Sequence, residues 1–170
     1  MADPPWRFAT YSDKGRGKSA EQHYETMTLD QIKAMPVTSV ARKDCWLWLW
    51  ATAPMYDQAR ETMHAWGFSY VTQGVWLKTT KSGAPAFGTG YVLRNSHEPY
   101  LIGKIGKPSI CSRSVRSAIV AQRREHSRKP DEAYRDAALL AGDVPKLELF
   151  SREPREGWST WGNETMKFAA

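Results

Sequence analysis

The chain has 170 residues, is 41% hydrophobic and 25% charged, and carries a formal net charge of +6. That size and balance predict one globular domain over residues 1–170 and exclude disordered and fibrous classes. No leader pattern and no run of about 20 apolar residues occurs, so a cytoplasmic protein with no membrane partner is expected.

In chain order, the first feature is Asp3-Pro4-Pro5-Trp6. Two adjacent prolines hold the backbone extended and remove two donors. The Asp3 carboxylate and the carbonyls around Pro4 become acceptors in a stiff frame beside a large flat ring. Such a frame suits an exocyclic amino group of a nucleobase, whose two hydrogens it would accept while the ring stacks on the base. Residues 7–23 read as a polar loop. Its Gly15-Arg16-Gly17-Lys18-Ser19 lacks the upstream glycine and the preceding strand of a P-loop, so that reading is rejected.

Thr28 with Gln31 forms a capping-box pattern that opens a short helix ending before Pro36. Cys45-Trp46-Leu47-Trp48-Leu49-Trp50 is a continuous apolar run, predicting a strand buried on both faces. Met55, Ala59, Met63 and Trp66 recur at helical spacing up to Gly67. Phe68 to Leu77 predicts a second strand, with Gly74 as a bulge, followed by a loop over Lys78 to Gly90. Tyr100–Ile102 and Ala118–Ala121 predict short strands, Pro130 to Gly142 a helix, and Lys146–Phe150 the last strand. Strand and helix patterns alternate, which predicts an α/β fold with a mostly parallel sheet. In such a sheet Asp3, the loop after Trp50, Lys78 and Phe150-Ser151-Arg152 fall at one carboxyl edge.

Charge is uneven. Eight cations from Lys104 to Lys129 face Glu125 alone, which reads as a phosphate-contacting surface that includes Arg123 and Arg124. No complete GxGxxG occurs, the four histidines lack metal-ligand spacing, and Cys45 and Cys111 form no CxxC pair. No metal site is therefore expected.

The ordered set Asp3-Pro4-Pro5-Trp6, His23-Tyr24-Glu25-Thr26-Met27, Leu47 to Thr52, Trp66-Gly67-Phe68, Trp76 to Thr79, Gly88-Thr89-Gly90, His97-Glu98, Lys129 to Glu132, Glu148 to Arg152 and Trp158 to Glu164 resembles the MT-A (seventy-kilodalton) family of adenine-amino methyltransferases. The resemblance implies a Rossmann-like, circularly permuted domain dependent on S-adenosylmethionine, with the tetrad ahead of the cofactor segments. It implies catalysis by Asp3, Pro4, Pro5 and Trp6, and a substrate side formed by Tyr24, Trp50, Lys78, Glu98, Arg123 and Arg124. Asp3, Lys129, Phe150, Arg152, Asn163 and Glu164 would meet the cofactor, Lys129 through its carboxylate. A cation flanking a helix N-terminus opposes the dipole, which an anionic ligand would justify. The implied substrate is adenine in DNA, with RNA as the alternative and a catalytically silent nucleic-acid-binding subunit as a third reading. A homodimer or partner subunit is plausible for a chain without a target-recognition domain. With only Met1 and Ala2 ahead of Asp3, the strand carrying the tetrad is expected to be poorly anchored and cofactor binding weak.

Overall fold

The computed structural model describes residues 1–7, 26–88, 90, 92–125 and 128–168. Tyr24 and most of the predicted polar loop lie outside them. The elements are α1 (Leu29–Lys33), β1 (Cys45–Trp50), α2 (Tyr56–Ala65), β2 (Ser69–Thr79), β3 (His97–Ile105), β4 (Ala118–Gln122), α3 (Asp131–Ala141), β5 (Leu147–Leu149) and β6 (Ser159–Trp161). The predicted capping box closes both ways, since Thr28 Oγ1 accepts from the Gln31 N–H and Gln31 Oε1 from the Thr28 N–H. Gly142 ends α3 with φ of 75°, a conformation glycine adopts without strain.

β1 alternates tryptophan and leucine, and the alternation sorts them onto opposite sheet faces. Leu47 and Leu49 enter a core with Ala2, Ile32, Met63 and Trp66, the side of α1 and α2. Trp48 and Trp50 enter a second core with Trp76, Tyr100, Ile119 and Ala133, the side of α3. Trp48 stacks on Tyr100 with ring centroids 4.1 Å apart. Gly74 is not a bulge. It stands opposite Tyr100 in register, where a Cβ would lie 2.2 Å from the tyrosine ring, and the register shift falls between Tyr70 and Thr72.

Four strands lie in the order β1-β3-β2-β4, and β5 pairs with β6. The sheet is mixed: β2–β4 and β5–β6 are parallel and Ala2 runs parallel to both Leu49 and Leu149, while β3 alone is antiparallel, to both β1 and β2. A parallel neighbour needs a crossover, usually helical. α2 supplies one between β1 and β2, whereas residues 80–96 form no helix among the described residues and return the chain from the same edge. The consequence is functional in placement. The start of β3, with Glu98, lies at the edge where β1 and β2 end.

The first residues are better anchored than expected. Ala2 bridges Leu49 on one side and Leu149 on the other, both parallel. The Ala2 N–H donates to the Trp48 carbonyl at 2.8 Å, the Trp50 N–H to Ala2 at 2.9 Å, and the Leu149 N–H to Met1 at 3.0 Å. Hydrogen bonds to strands on both sides, not ladder length, place Asp3 at the sheet's carboxyl edge.

Candidate functional site

Four charged side chains from four separate segments converge at that edge. Lys129 Nζ lies 2.7 Å from Asp3 Oδ2 and 2.8 Å from Glu98 Oε1, while Lys78 Nζ lies 2.6 Å from Glu98 Oε2. Lys129 is 5% exposed at its side chain, and its ammonium sits 5.3 Å over the fully buried Trp50 ring. Lys78 lies 4.8 Å over Trp76. The chain is thus Lys78–Glu98–Lys129–Asp3, alternating in sign.

Electrostatics follow from this order. Burial, the largest influence, would raise the Glu98 carboxyl, but Lys129 and then Lys78 outweigh it and hold the pKa at about 2. Burial by itself would lower the Lys129 ammonium; the Asp3 and Glu98 carboxylates overcome it and raise the pKa above the ordinary lysine value. Lys129 therefore has two structural anions of its own, so its place before α3 is explained without a ligand. Asp3 Oδ2 is held by Lys129, and Oδ1 has no hydrogen-bond partner among the described residues.

The tetrad frame differs from its expected use in two respects. The Trp6 ring is only 3% exposed and sits in the leucine-side core, with its indole N–H donated to the Trp50 carbonyl at 3.1 Å. It fixes the segment after β1 rather than offering an open stacking face. The Pro4 carbonyl accepts the Trp6 N–H at 2.8 Å, and the Pro5 carbonyl accepts from Met27 at 3.1 Å. Of the predicted acceptors, Asp3 keeps an oxygen available.

On the other flank, Phe150 follows β5 with φ of 64°, a strained backbone for a residue with a Cβ. Its ring meets Trp161 edge-on at 5.8 Å. Arg152 pairs with Glu164 at 3.4 Å, and Asn163 is exposed beside it. A small cavity of about 20 Å³ is bounded by Asp3, Lys129, Tyr134, Phe150, Arg152 and Phe168, joining this flank to the charged chain. Arg124 pairs with Asp131 at 2.8 Å, while Arg123 is exposed and holds the Thr79 carbonyl through its backbone N–H.

Sequence reasoning missed a supporting layer. Glu148, buried in β5, accepts from the Tyr134 hydroxyl and from Ser151 Oγ at 3.0 Å. Burial raises its pKa above the usual carboxylate range, with those two donors opposing. Arg155 bridges Asp131 at 2.8 Å and Glu153 at 2.9 Å and lies 3.7 Å over the Tyr134 ring. The signal was present: an acid between two leucines in a strand destined for burial.

The predicted basic surface is divided. Arg124, Arg128 and Lys129 are ion-paired at the Asp3 edge, whereas Lys104 and Lys107 lie at the far end of β3. A larger cavity, about 600 Å³ and mostly apolar, opens at that far edge, among Trp46, Trp48, Ile102, Leu140 and Leu147. Its position removes it from the charged chain around Asp3.

The MT-A70 family model matches residues 1–164. The chain belongs to the MT-A70 family. It is 33% identical over 172 residues to the N(6)-adenosine-methyltransferase MT-A70-like of Arabidopsis thaliana, covering 96% of this chain and 23% of that protein. It is 31% identical over 173 residues to the human N(6)-adenosine-methyltransferase catalytic subunit METTL3, covering 96% and 27% respectively. The Type II methyltransferase M.MunI of Mycoplasma sp is 29% identical over 181 residues, with 96% of this chain and 75% of that protein covered. This MT-A70 chain therefore spans about a quarter of its eukaryotic relatives. Among the described residues, no helix is long and apolar enough to cross a membrane, and no acid, histidine and cysteine group could hold a metal ion.

Proposed function

We propose that the chain is a Rossmann-like, circularly permuted methyltransferase that moves a methyl group from S-adenosylmethionine to the exocyclic amino group of adenine in nucleic acid, with DNA ahead of RNA. The carrying observation is the buried Lys129 held between Asp3 and Glu98 at the carboxyl edge of the sheet, in a chain of the MT-A70 family. Perturbed ionisable groups that converge at one edge are the expected mark of a reactive site.

The residues fit the cofactor by the chemistry of their donors. Lys129, with two of its three N–H donors on Asp3 and Glu98, has one left for the cofactor carboxylate, and Asp3 Oδ1 suits the cofactor ammonium. Phe150, Arg152, Asn163 and Glu164 offer a ring, a planar cation and amide and carboxylate groups for adenine and ribose. When bound, S-adenosylmethionine supplies an electrophilic methyl.

This chain's own groups do the rest. Lys129 keeps Asp3 Oδ2 fixed, so Oδ1 can accept an amine hydrogen and draw the nitrogen lone pair out of the ring. Lys78 and Glu98 stand on the substrate side, with Tyr24 assigned there by resemblance, while Trp50, fully buried under the Lys129 ammonium, supports that side from the core. The target adenine has to leave the base stack, because both ring faces and the amino edge must be reachable. DNA is placed ahead because the match extends over three quarters of the Type II methyltransferase M.MunI, against about a quarter of the eukaryotic proteins named for adenosine. The test is transfer of labelled methyl to matched DNA and RNA oligonucleotides with paired or unpaired adenine. Label on adenine, more in DNA than RNA and at least as much on unpaired adenine, is expected. Absence of label from every oligonucleotide overturns the reading.

A further inference from the structure

Two groups of cations in this chain are treated differently. Lys78, Arg124, Arg128, Lys129, Arg152 and Arg155, around Asp3, each have a carboxylate partner. Six others, Arg42, Lys43, Lys104, Lys107, Arg113 and Arg116, are exposed and form no ion pair among the described residues. The segments that carry them, residues 41–44 and 104–117, contain one acid, Asp44, whose Oδ1 already accepts the Lys107 N–H.

Their placement is continuous. Cys45 pairs with Ile105, which joins Arg42 and Lys43 to Lys104 and Lys107 at the far edge. Residues 106–117 then run to the start of β4, delivering Arg113 and Arg116 there. β4 is the outer strand of its sheet and bonds only to β2, and the side chains of Ala118, Val120 and Gln122 face solvent without charge. At its other end stands exposed Arg123, on the edge of Asp3. Five residues at about 3.3 Å each make this strand roughly 17 Å long. That matches about five phosphates of one strand at ~3.4 Å rise.

We propose that β4 and its flanking arginines form a track for the sugar–phosphate backbone of the nucleic acid, running from Arg113 and Arg116 to Arg123 and leading the target nucleotide to the Asp3 edge. The inference rests on the proposed function only for the class of substrate. Unpaired surface cations keep their full charge for phosphates, and neutral side chains between them let a backbone pass without like-charge or acid contacts. Lys104 and Lys107 extend the track past the start of β4.

The experiment measures binding of a fluorescent 20-base-pair DNA by anisotropy across a salt series, with no methyl donor present. Wild type is compared with a Lys104→Ala, Lys107→Ala, Arg113→Ala, Arg116→Ala variant and with a control lacking Lys33 and Arg60, on the α1–α2 side. Each phosphate contact contributes about 0.9 to the slope of log affinity against log salt. The quadruple variant should lose at least about 2 from that slope while the control loses less than one, with melting temperatures of both near wild type. Equal slopes for wild type and quadruple variant overturn the track, and so does an equal loss in the control. Because no methyl transfer is read, failure of the catalytic assay and failure here are separate results. If polyglutamate displaces the DNA as effectively per charge, the surface is an acidic-protein site and the track is wrong.

Discussion

The charged cluster at Asp3 and the cations of the far edge treat charge in opposite ways. Around Asp3, cations and carboxylates are buried or half-buried and matched, so each holds another at a fixed distance. At the far edge the cations are exposed and have no ion-pair partner among the described residues. Buried charges require partners because desolvation is costly, and removing one partner strands the other. Exposed charges require none and contribute little to stability. The same residue types therefore serve geometry at one edge and encounter with a partner at the other.

Mutation should expose this contrast most strongly at Lys129. Lys129→Met strands the Asp3 carboxylate, leaves Glu98 with Lys78 alone, and should cost about 3–5 kcal/mol in denaturant unfolding. A loss below about 1 kcal/mol would make the two edges energetically alike and break the comparison.

Acid should dissect the buried edge next. Glu98 has a folded pKa of about 2 against an ordinary 4.5, so its ion pairs stabilise the fold above pH 4.5. That contribution should disappear as the pH falls from 4.5 toward about 2. Melting temperature followed over this window should drop steeply for wild type and less for Glu98→Gln. Superimposable curves would remove Glu98 from the network.

Trp6→Phe keeps the ring in the core but deletes the hydrogen bond to the Trp50 carbonyl, and should cost about 1 kcal/mol of stability. The smallest effect is expected at the far edge, where Lys107→Ala should change stability by no more than about 0.5 kcal/mol. A larger change at Lys107 than at Trp6, measured in the same unfolding series, would reverse the proposed division of labour.

Much of the fold was legible in local pattern. The Thr28 cap, the alternating Trp/Leu strand, the helix over Tyr56–Ala65 and the helix from Pro130 to Gly142 all carry their signals in neighbouring residues. Strand direction is not local. Whether β3 runs with or against β1 depends on what residues 80–96 do in space, and a Gly/Pro/Thr stretch permits either. Gly74 shows the same limit, since its reason is the Tyr100 ring on a partner strand. The candidate site could be written from the sequence as a list of residues, and four of them, Asp3, Lys78, Glu98 and Lys129, meet in the structure. Their mutual pairing was not, because four segments far apart in sequence supply them. Trp6 misled because an aromatic after two prolines looks like a recognition surface until the core claims it.

The central claim is that Asp3, held by Lys129, polarises the amine that receives the methyl group. Transfer of labelled methyl from S-adenosylmethionine to an adenine-containing oligonucleotide should be measured for wild type and Asp3→Ala under saturating donor, with melting temperature recorded for both. Loss of two to three decades in rate, about 3 kcal/mol, with a cooperative melt retained, is the predicted result. A rate within a few-fold of wild type would contradict the account.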